Sequence, residues 1–340
     1  MKKTLLALAL LGAFAGAASA QTNVTVYGVV DAGLTYANNG TAKTTALGSG
    51  LLSGSRLGFR GTENLGGGLS AIFTLENGFN VDDGSLGQGR LFGRQAFVGL
   101  TGSFGAVKLG RQYHPLRNAL NTIDPFNLGN IGTASNIFNV YGDRGDNTIN
   151  YSTPKLGGFK GELAYSLGEV AGSSSIGRQA GLSAGYAAGP FNVILAHHDQ
   201  NQQAAGVATG DSRTTLLGGT YDFRVVKLHA AYALNKGSTA AGVKNVDRDE
   251  AMIGVSVPLG AGKILASYIL RRDDMGANRD AEQLALGYIY SLSKRTNLYT
   301  SVARINNEAA ASVNAGGFAG GAGVAGTDRS TFSVGVRHSF

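Results

Sequence analysis

The chain has 340 residues, no cysteine, 53 glycines, 5 prolines and a formal net charge of +7. Without cysteine there is no disulfide framework and no thiolate metal site. Glycine at about twice its usual ~7%, with little proline and no triplet period, excludes collagen, and the abundant Ala, Leu and Val exclude simple disorder.

The first element in chain order is a secretory signal peptide over residues 1–20. Lys2 and Lys3 form its basic region, Thr4 to about Ala18 its apolar run, and Ala18-Ser19-Ala20 its small-residue cleavage site. The run is shorter than the ~20 residues of a spanning helix, and no basic stop follows it. Cleavage near Gln21 would leave one domain, 21–340, with 27 basic and 22 acidic residues, a net +5. No 18-residue apolar run follows the signal and mean hydropathy is +0.00, which excludes a helical membrane protein. A soluble β-protein and a membrane β-barrel both pass this test.

Period-two alternation then marks sixteen segments of about ten residues: 24–36, 55–63, 69–77, 92–102, 106–112, 148–152, 159–167 and 178–187 in the first half. The second half carries 191–199, 213–223, 225–235, 249–257, 263–272, 281–292, 296–305 and 329–340. Short turns fall at 64–68, 103–105, 154–158, 188–190, 223–225, 258–262 and 293–295. Long polar segments alternate with them at 38–53, 81–90, 113–147, 168–177, 200–212, 236–248, 273–280 and 306–328. Loops sorted by length onto two ends, joined by strands of this length, predict an all-β, 16-stranded antiparallel transmembrane β-barrel with short periplasmic turns and long external loops.

The alternation also predicts the faces. Val24, Val26, Val30 and Leu34 share one side of the first strand, with Asp31 on the other. Leu57 and Phe59 oppose Arg56 and Arg60 in the second, and Phe73 and Leu75 oppose Thr74 and Glu76 in the third. Lipid requires every backbone group to be paired, so the sheet must close. The inward face then carries Arg, Asp, Glu, Ser and Thr around water. In the last strand Phe332, Val334, Val336, His338 and Phe340 share the outward row, and the strand should close the barrel against 24–36.

The stretches QTNVTVYGVVDAG (21–33), SRLGFRGTE (55–63), LGGGLSAIFTLENGF (65–79), GRQAFVG (93–99) and VKLGRQY (107–113), with the ending VRHSF, resemble the general porins of Gram-negative bacteria. The likeness is to the β-proteobacterial type, as in Neisseria, Bordetella and Burkholderia. It implies an outer-membrane homotrimer that passes ions and small hydrophilic solutes by diffusion, and a third loop folded into the lumen opposite a ladder of basic residues. It also implies that the terminal aromatic, Phe340, is read as an assembly signal by the outer-membrane barrel assembly machinery. Expected partners are further copies of the chain, outer-membrane lipid and lipopolysaccharide, that machinery, and small hydrophilic solutes and anions. No cofactor and no nucleic acid are expected.

Arg56, Arg60 and Arg94 are the leading candidates for the basic wall of the constriction. A charge facing lipid at mid-depth would cost ~2–4 kcal/mol, which favours the lumen. Arg94 matches the family's wall arginine by resemblance. Arg144 resembles a further member of the cluster, and Gly142–Asp146 also reads as a plain polar turn. The segment 113–147 carries apolar anchors, among them Leu116, Leu120, Ile123, Phe126, Ile131, Phe138 and Val140, which suit an inward fold. Within it Asp124 either lines the pore or caps a local turn. Asp31 and Glu76 are candidate partners for the arginines. Arg111, with Lys108, either extends the basic track or makes a structural ion pair. Clustered arginines and the net +5 predict mild anion preference.

Catalysis has no motif behind it: the five histidines are scattered, and no His-Glu-x-x-His or Gly-x-Ser-x-Gly occurs. Leu65–Gly68 lacks the lysine of a phosphate loop. Asp82-Asp83 and 271–274 read as solvated loop charges rather than a calcium site. Two alternatives remain open: a substrate-specific channel for a sugar, phosphate or dicarboxylate, and a non-conducting adhesin or structural barrel.

Overall fold

The computed structural model describes residues 23–138, 143–315 and 324–340. The signal segment 1–20 and Val140 lie outside the described residues. The chain runs through β1 (Asn23–Asn38), β2 (Lys43–Ser49), β3 (Arg56–Gly66), β4 (Leu69–Gly78), β5 (Gln95–Gly102) and β6 (Gly105–Tyr113) to a helix, α1 (Pro115–Ile123). It continues as β7 (Arg144–Ser152), β8 (Phe159–Ser166), β9 (Gln179–Ala188), β10 (Phe191–Ala204), β11 (Val207–Asp222) and β12 (Lys227–Thr239). Last come β13 (Lys244–Leu259), β14 (Gly262–Asp273), β15 (Ala281–Ser291), β16 (Thr296–Asn307) and β17 (Arg329–Ser339).

Successive strands pair antiparallel, and β17 returns to β1 with Val29 opposite Ser339 and Asn38 opposite Ser330. Closure leaves no free edge, as a sheet in lipid requires. β2 and β3 both pair with β1: Ala32–Asn38 face Lys43–Ser49, and Asn23–Val29 face Arg56–Thr62. They are the two halves of one wall strand, broken at 50–55, so the seventeen segments make a sixteen-stranded barrel.

Three expected loops are shorter than the alternation suggested. Within 38–53, Lys43–Ser49 forms the upper half of the second wall strand. The segment 200–212 is mostly strand, closed by a two-residue turn at Ala205 and Gly206 with φ of +49° and +80°. Likewise, 236–248 is mostly β12 and β13. These ends carry polar residues on both faces, so the pairing continues where the hydrophobic period stops.

The faces follow the predicted alternation. In β12, Leu228, Ala230, Tyr232 and Leu234 point out and are exposed, while His229, Ala231, Ala233 and Asn235 point in and are buried. In β17 the outward row of Phe332, Val334 and Val336 is 43–46% exposed, and Phe340 extends it. The inward face departs from the expected polar lining. Leu216, Met252, Leu265, Ile269, Ile289 and Ile305, from β11 and β13 to β16, form an apolar patch on the inner wall.

The third loop covers that patch. Leu116, Ala119, Leu120 and Ile123 recur at helical spacing on α1 and are all buried, with Pro115 opening the helix. Each large side chain so buried stabilises the docked loop by roughly 2 kcal/mol. Phe126, Ile131 and Ile137 continue the seam. Wall glycines make room: a Cβ on Gly254 would stand 2.9 Å from the Pro125 ring, and one on Gly287 the same distance from Phe126. Polar wall groups pin the loop. Gln283 donates to the Gly132 carbonyl at 3.0 Å, Ser301 donates to Asn130 at 2.5 Å, and Arg271 donates to the Ile137 carbonyl. His229 Nδ1 lies 2.6 Å from the Ile123 carbonyl at the end of α1.

The break in the second strand holds the other side of the loop. Asp31, fully buried in β1, accepts from the Leu52 and Ser53 amides at 3.1 and 2.8 Å and from the Tyr299 hydroxyl at 2.6 Å. The turned chain presents the Leu51 carbonyl to the Asn130 amide of the loop. Asp31 is therefore committed to the backbone of the break and makes no ion pair with an arginine among the described residues, contrary to the expectation that it partners the basic wall.

Asp31→Ala should strand two buried amides and lower the stability of the refolded barrel by about 3 kcal/mol. Urea unfolding in detergent micelles reads this as a lower midpoint; an unchanged midpoint would refute the role.

Candidate functional site

Between the docked loop and the wall lies a cavity of about 1020 Å³. Arg56 reaches it from β3, Arg94 from just before β5, Arg144 from the first residue of β7, Arg337 from β17 and Arg117 from α1. Glu76 and Asp143 are the carboxylates of its lining, so five arginines against two acids leave an excess of three positive charges.

Both acids are engaged. Arg94 Nε donates to Glu76 at 2.7 Å, and the second Glu76 oxygen accepts from the Tyr27 hydroxyl at 2.8 Å. Asp143 accepts from Arg117 at 2.9 Å and from Arg144 at 2.5 Å. Arg56 donates to the Ser53 hydroxyl at 2.7 Å, and Arg337 donates to the Asn297 amide oxygen at 2.5 Å. Neither of these two makes an ion pair among the described residues. The Tyr113 hydroxyl accepts from Arg94 at 2.9 Å and from Arg144 at 2.7 Å.

Four candidates from the sequence thus meet around one space: Arg56, Arg94, Arg144 and Glu76. Arg60 does not join them. It shares the inward face of β3 but lies four residues nearer the turn, exposed, with its guanidinium 5.1 Å from the Tyr27 ring centroid. Asp124 is not on the cavity. It is 1% exposed and accepts from the Phe126, Leu128 and Ala134 amides at 3.0, 2.9 and 3.1 Å, which ties the tip of the loop into a knot. Burial pushes its carboxyl up to about 6 against the pull of those amides. The turn-capping reading holds, and the pore-lining one does not.

Arg111 does not extend the basic track in the lumen; it makes the structural ion pair, the other of its two readings. It stands two residues from the outward Leu109 and opposite Ala96, hence on the outer face, where it pairs with Asp146 at 2.6 Å. Lys108 and Arg111 are three apart, which puts them on opposite faces of a strand. Lys108 faces inward with its ammonium 5.5 Å from the Phe97 ring.

Arg117 and Arg337 were not among the sequence candidates. Arg337 was visible in principle, since it falls in the inward row of the last strand. Arg117 needed the helix, whose signal was Pro115 followed by apolar residues at 116, 119, 120 and 123. A second cavity, of about 610 Å³, lies against the outward rows of β10 to β15, and no charged residue lines it.

The fold is that of an outer-membrane diffusion channel, and the comparisons with known proteins agree. Residues 7–310 match the Gram-negative porin family, and the chain belongs to it. It is similar to Outer membrane porin protein 32 of Delftia acidovorans, 37% identical over 357 residues that cover 100% of both chains. It is similar to the Major outer membrane protein P.IB of Neisseria gonorrhoeae, 26% identical with 100% of both chains covered. Among solved structures it is similar to an anion-selective porin from Comamonas acidovorans, with a TM-score of 0.86 and 33% identity over 94% of this chain and 100% of that one. The protein is thus an outer-membrane porin.

The root of the third loop carries a titratable group. His114, which precedes α1, is fully buried, with its ring centroid 4.6 Å from that of His198 on the β10 wall. Burial pushes the His114 imidazole down to about 4, with Asp143 and Gln179 pulling the other way. Above the ordinary 6.5 neither folded nor unfolded chain holds this proton. As pH falls from there towards 4 the unfolded chain takes it first, and stability drops by up to about 3 kcal/mol. Urea midpoints at pH 7.5 and pH 4.5 should therefore differ less in His114→Gln than in the wild type. Equal differences would show that the ring carries no such linkage.

Proposed function

We propose that the protein is a homotrimeric, mildly anion-selective pore whose constriction is the space between the third loop and the basic wall. The observation that carries this reading is the charge of the lining, five arginines against two carboxylates that are both spent on ion pairs. A narrow polar cleft in a low-dielectric wall focuses that field and enriches anions over cations. The third loop brings an arginine, Arg117, to the cavity and turns its own tip carboxylate, Asp124, away from it. Arg60 and Lys108 extend the positive inner wall towards the turn end. Similarity to a porin described as anion-selective supports the same conclusion.

The role proposed for Phe340 is in assembly and not in conduction. Its backbone pairs with Gly28 in both directions at 3.1 Å, and its ring rests where Gly28 lacks a side chain, on the outward row of the wall, whereas Arg56 and Arg337 reach the inner cavity. Homotrimer formation would cover part of the outward apolar rows. Lipopolysaccharide and the assembly machinery are the proposed partners of the remaining outer surface and of the closing strand.

Reversal potential under a KCl gradient in planar bilayers tests the reading. The wild type should favour chloride. Arg56→Glu with Arg337→Glu should remove or invert that preference, because the pair reverses two cations without orphaning Glu76 or Asp143. A cation-selective wild type, or a double variant that matches the wild type, would overturn the proposal.

A further inference from the structure

The basic cluster poses a physical problem that a neutral residue solves. Arg94 and Arg144 each place an Nη2 on the Tyr113 oxygen, at 2.9 and 2.7 Å, so these two nitrogens lie within 5.6 Å of each other (2.9 plus 2.7). Arg117 adds a third guanidinium 4.0 Å from the centroid of the same ring, and Arg144 also lies over it at 4.4 Å. Like charges on long side chains should spread apart in water. Here three of them, from the approach to β5, the start of β7 and α1, converge on one phenol at the end of β6.

Tyr113 can hold them because it offers two kinds of attraction. Its hydroxyl oxygen has two lone pairs, and each takes one guanidinium N–H. Its ring face attracts cations through the aromatic quadrupole. The carboxylates complete the arrangement from outside: Glu76 fixes Arg94, and Asp143 fixes Arg117 and Arg144. None of these contacts consumes the positive charge as a second carboxylate would. The cluster is gathered by a neutral group and keeps its excess charge for the lumen.

We propose that Tyr113 is the positioning residue of the anion filter, and that a side chain without charge sets how strongly the pore discriminates between anions and cations. The proposal rests on the anion-pore reading above. Two substitutions separate the two attractions. Tyr113→Phe keeps the ring and removes the oxygen, so Arg94 and Arg144 lose their shared acceptor. Tyr113→Leu removes both, and Arg117 loses its ring contact while keeping its ion pair with Asp143.

The test is the chloride-to-potassium permeability ratio of refolded trimers in planar bilayers, with single-channel conductance measured across a KCl concentration series. The ratio should fall by at least about twofold in Tyr113→Phe, which removes two hydrogen bonds each on that scale or above, and further in Tyr113→Leu. The concentration for half-saturation should rise while the maximal conductance holds, since the lining is rearranged and the pore is not widened. A ratio unchanged in both variants of an anion-selective wild type would overturn the proposal. So would a larger maximal conductance in Tyr113→Phe, which would make Tyr113 a support of the loop and not of the filter. A wild type with no anion preference is a different outcome, and it refutes the underlying reading of the pore.

Discussion

One buried carboxylate makes the rest of this architecture possible. A regular second strand would run straight past the lumen and offer the third loop nothing to hold. Asp31 instead collects the Leu52 and Ser53 amides and the Tyr299 hydroxyl, and so stabilises a break at 50–55 that turns the chain inward. The break then exposes the Leu51 carbonyl to Asn130 at the far side of the loop. Buried backbone groups must be paired, so an interrupted ladder is tolerated only where a group such as Asp31 replaces the lost partners. The same carboxylate reaches across to β16 through Tyr299, which ties the break to the closing side of the barrel.

With the loop held there, the lumen divides into two unlike halves. The inner wall from β11 to β16 carries the apolar patch, with polar groups that pin the loop, and is covered by it. The wall of β3 to β7, with Arg337 of β17, is basic and faces water. The two halves depend on each other. Leu265, Ile269 and Ile305 facing water would make a poor channel wall, so they need the loop. The arginines need the space that the loop does not fill. The positive lining of the lumen is in this sense a by-product of packing: the loop spends its apolar residues on one wall and its tip carboxylate on its own turn, and the charge opposite is left to the lumen.

The barrel was largely legible in the sequence, because lipid outside and water inside impose an alternation that survives in most strands. It failed where the physics of that contrast stops. Beyond the apolar belt, Lys43–Ser49 and the outer ends of β10 to β13 pair as strands with polar residues on both sides, so nothing in the pattern marks them. The inward row could be named but not its occupants: Leu216 and Ile269 sit there only because a loop comes to cover them. The arginines Arg56, Arg94 and Arg144 were found from strand faces and family likeness. Asp124 was ambiguous because a carboxylate before proline serves a turn and a pore equally well by composition. Arg111 is three residues from the inward Lys108, and an odd spacing in a strand exchanges inside for outside, so only its ion-pair reading survives. Tyr113 was visible as a residue, but its position between three cations is a property of the folded loop.

The central claim is that the third loop lies inside the barrel with one face sealed on the wall and the other on the water path. The chain has no cysteine, so single thiols can be introduced without background. Ile131 is fully buried on the wall side of the loop, and Asn127 is exposed on the cavity. The direct measurement is reaction of Ile131→Cys and Asn127→Cys with a sulfonate-bearing thiol reagent, followed by single-channel recording. The account predicts that Ile131→Cys reacts only after unfolding, and that Asn127→Cys reacts in the folded protein and loses conductance as it does. Free reaction of folded Ile131→Cys, with no change of current on labelling Asn127→Cys, would place the loop outside the lumen and contradict the account.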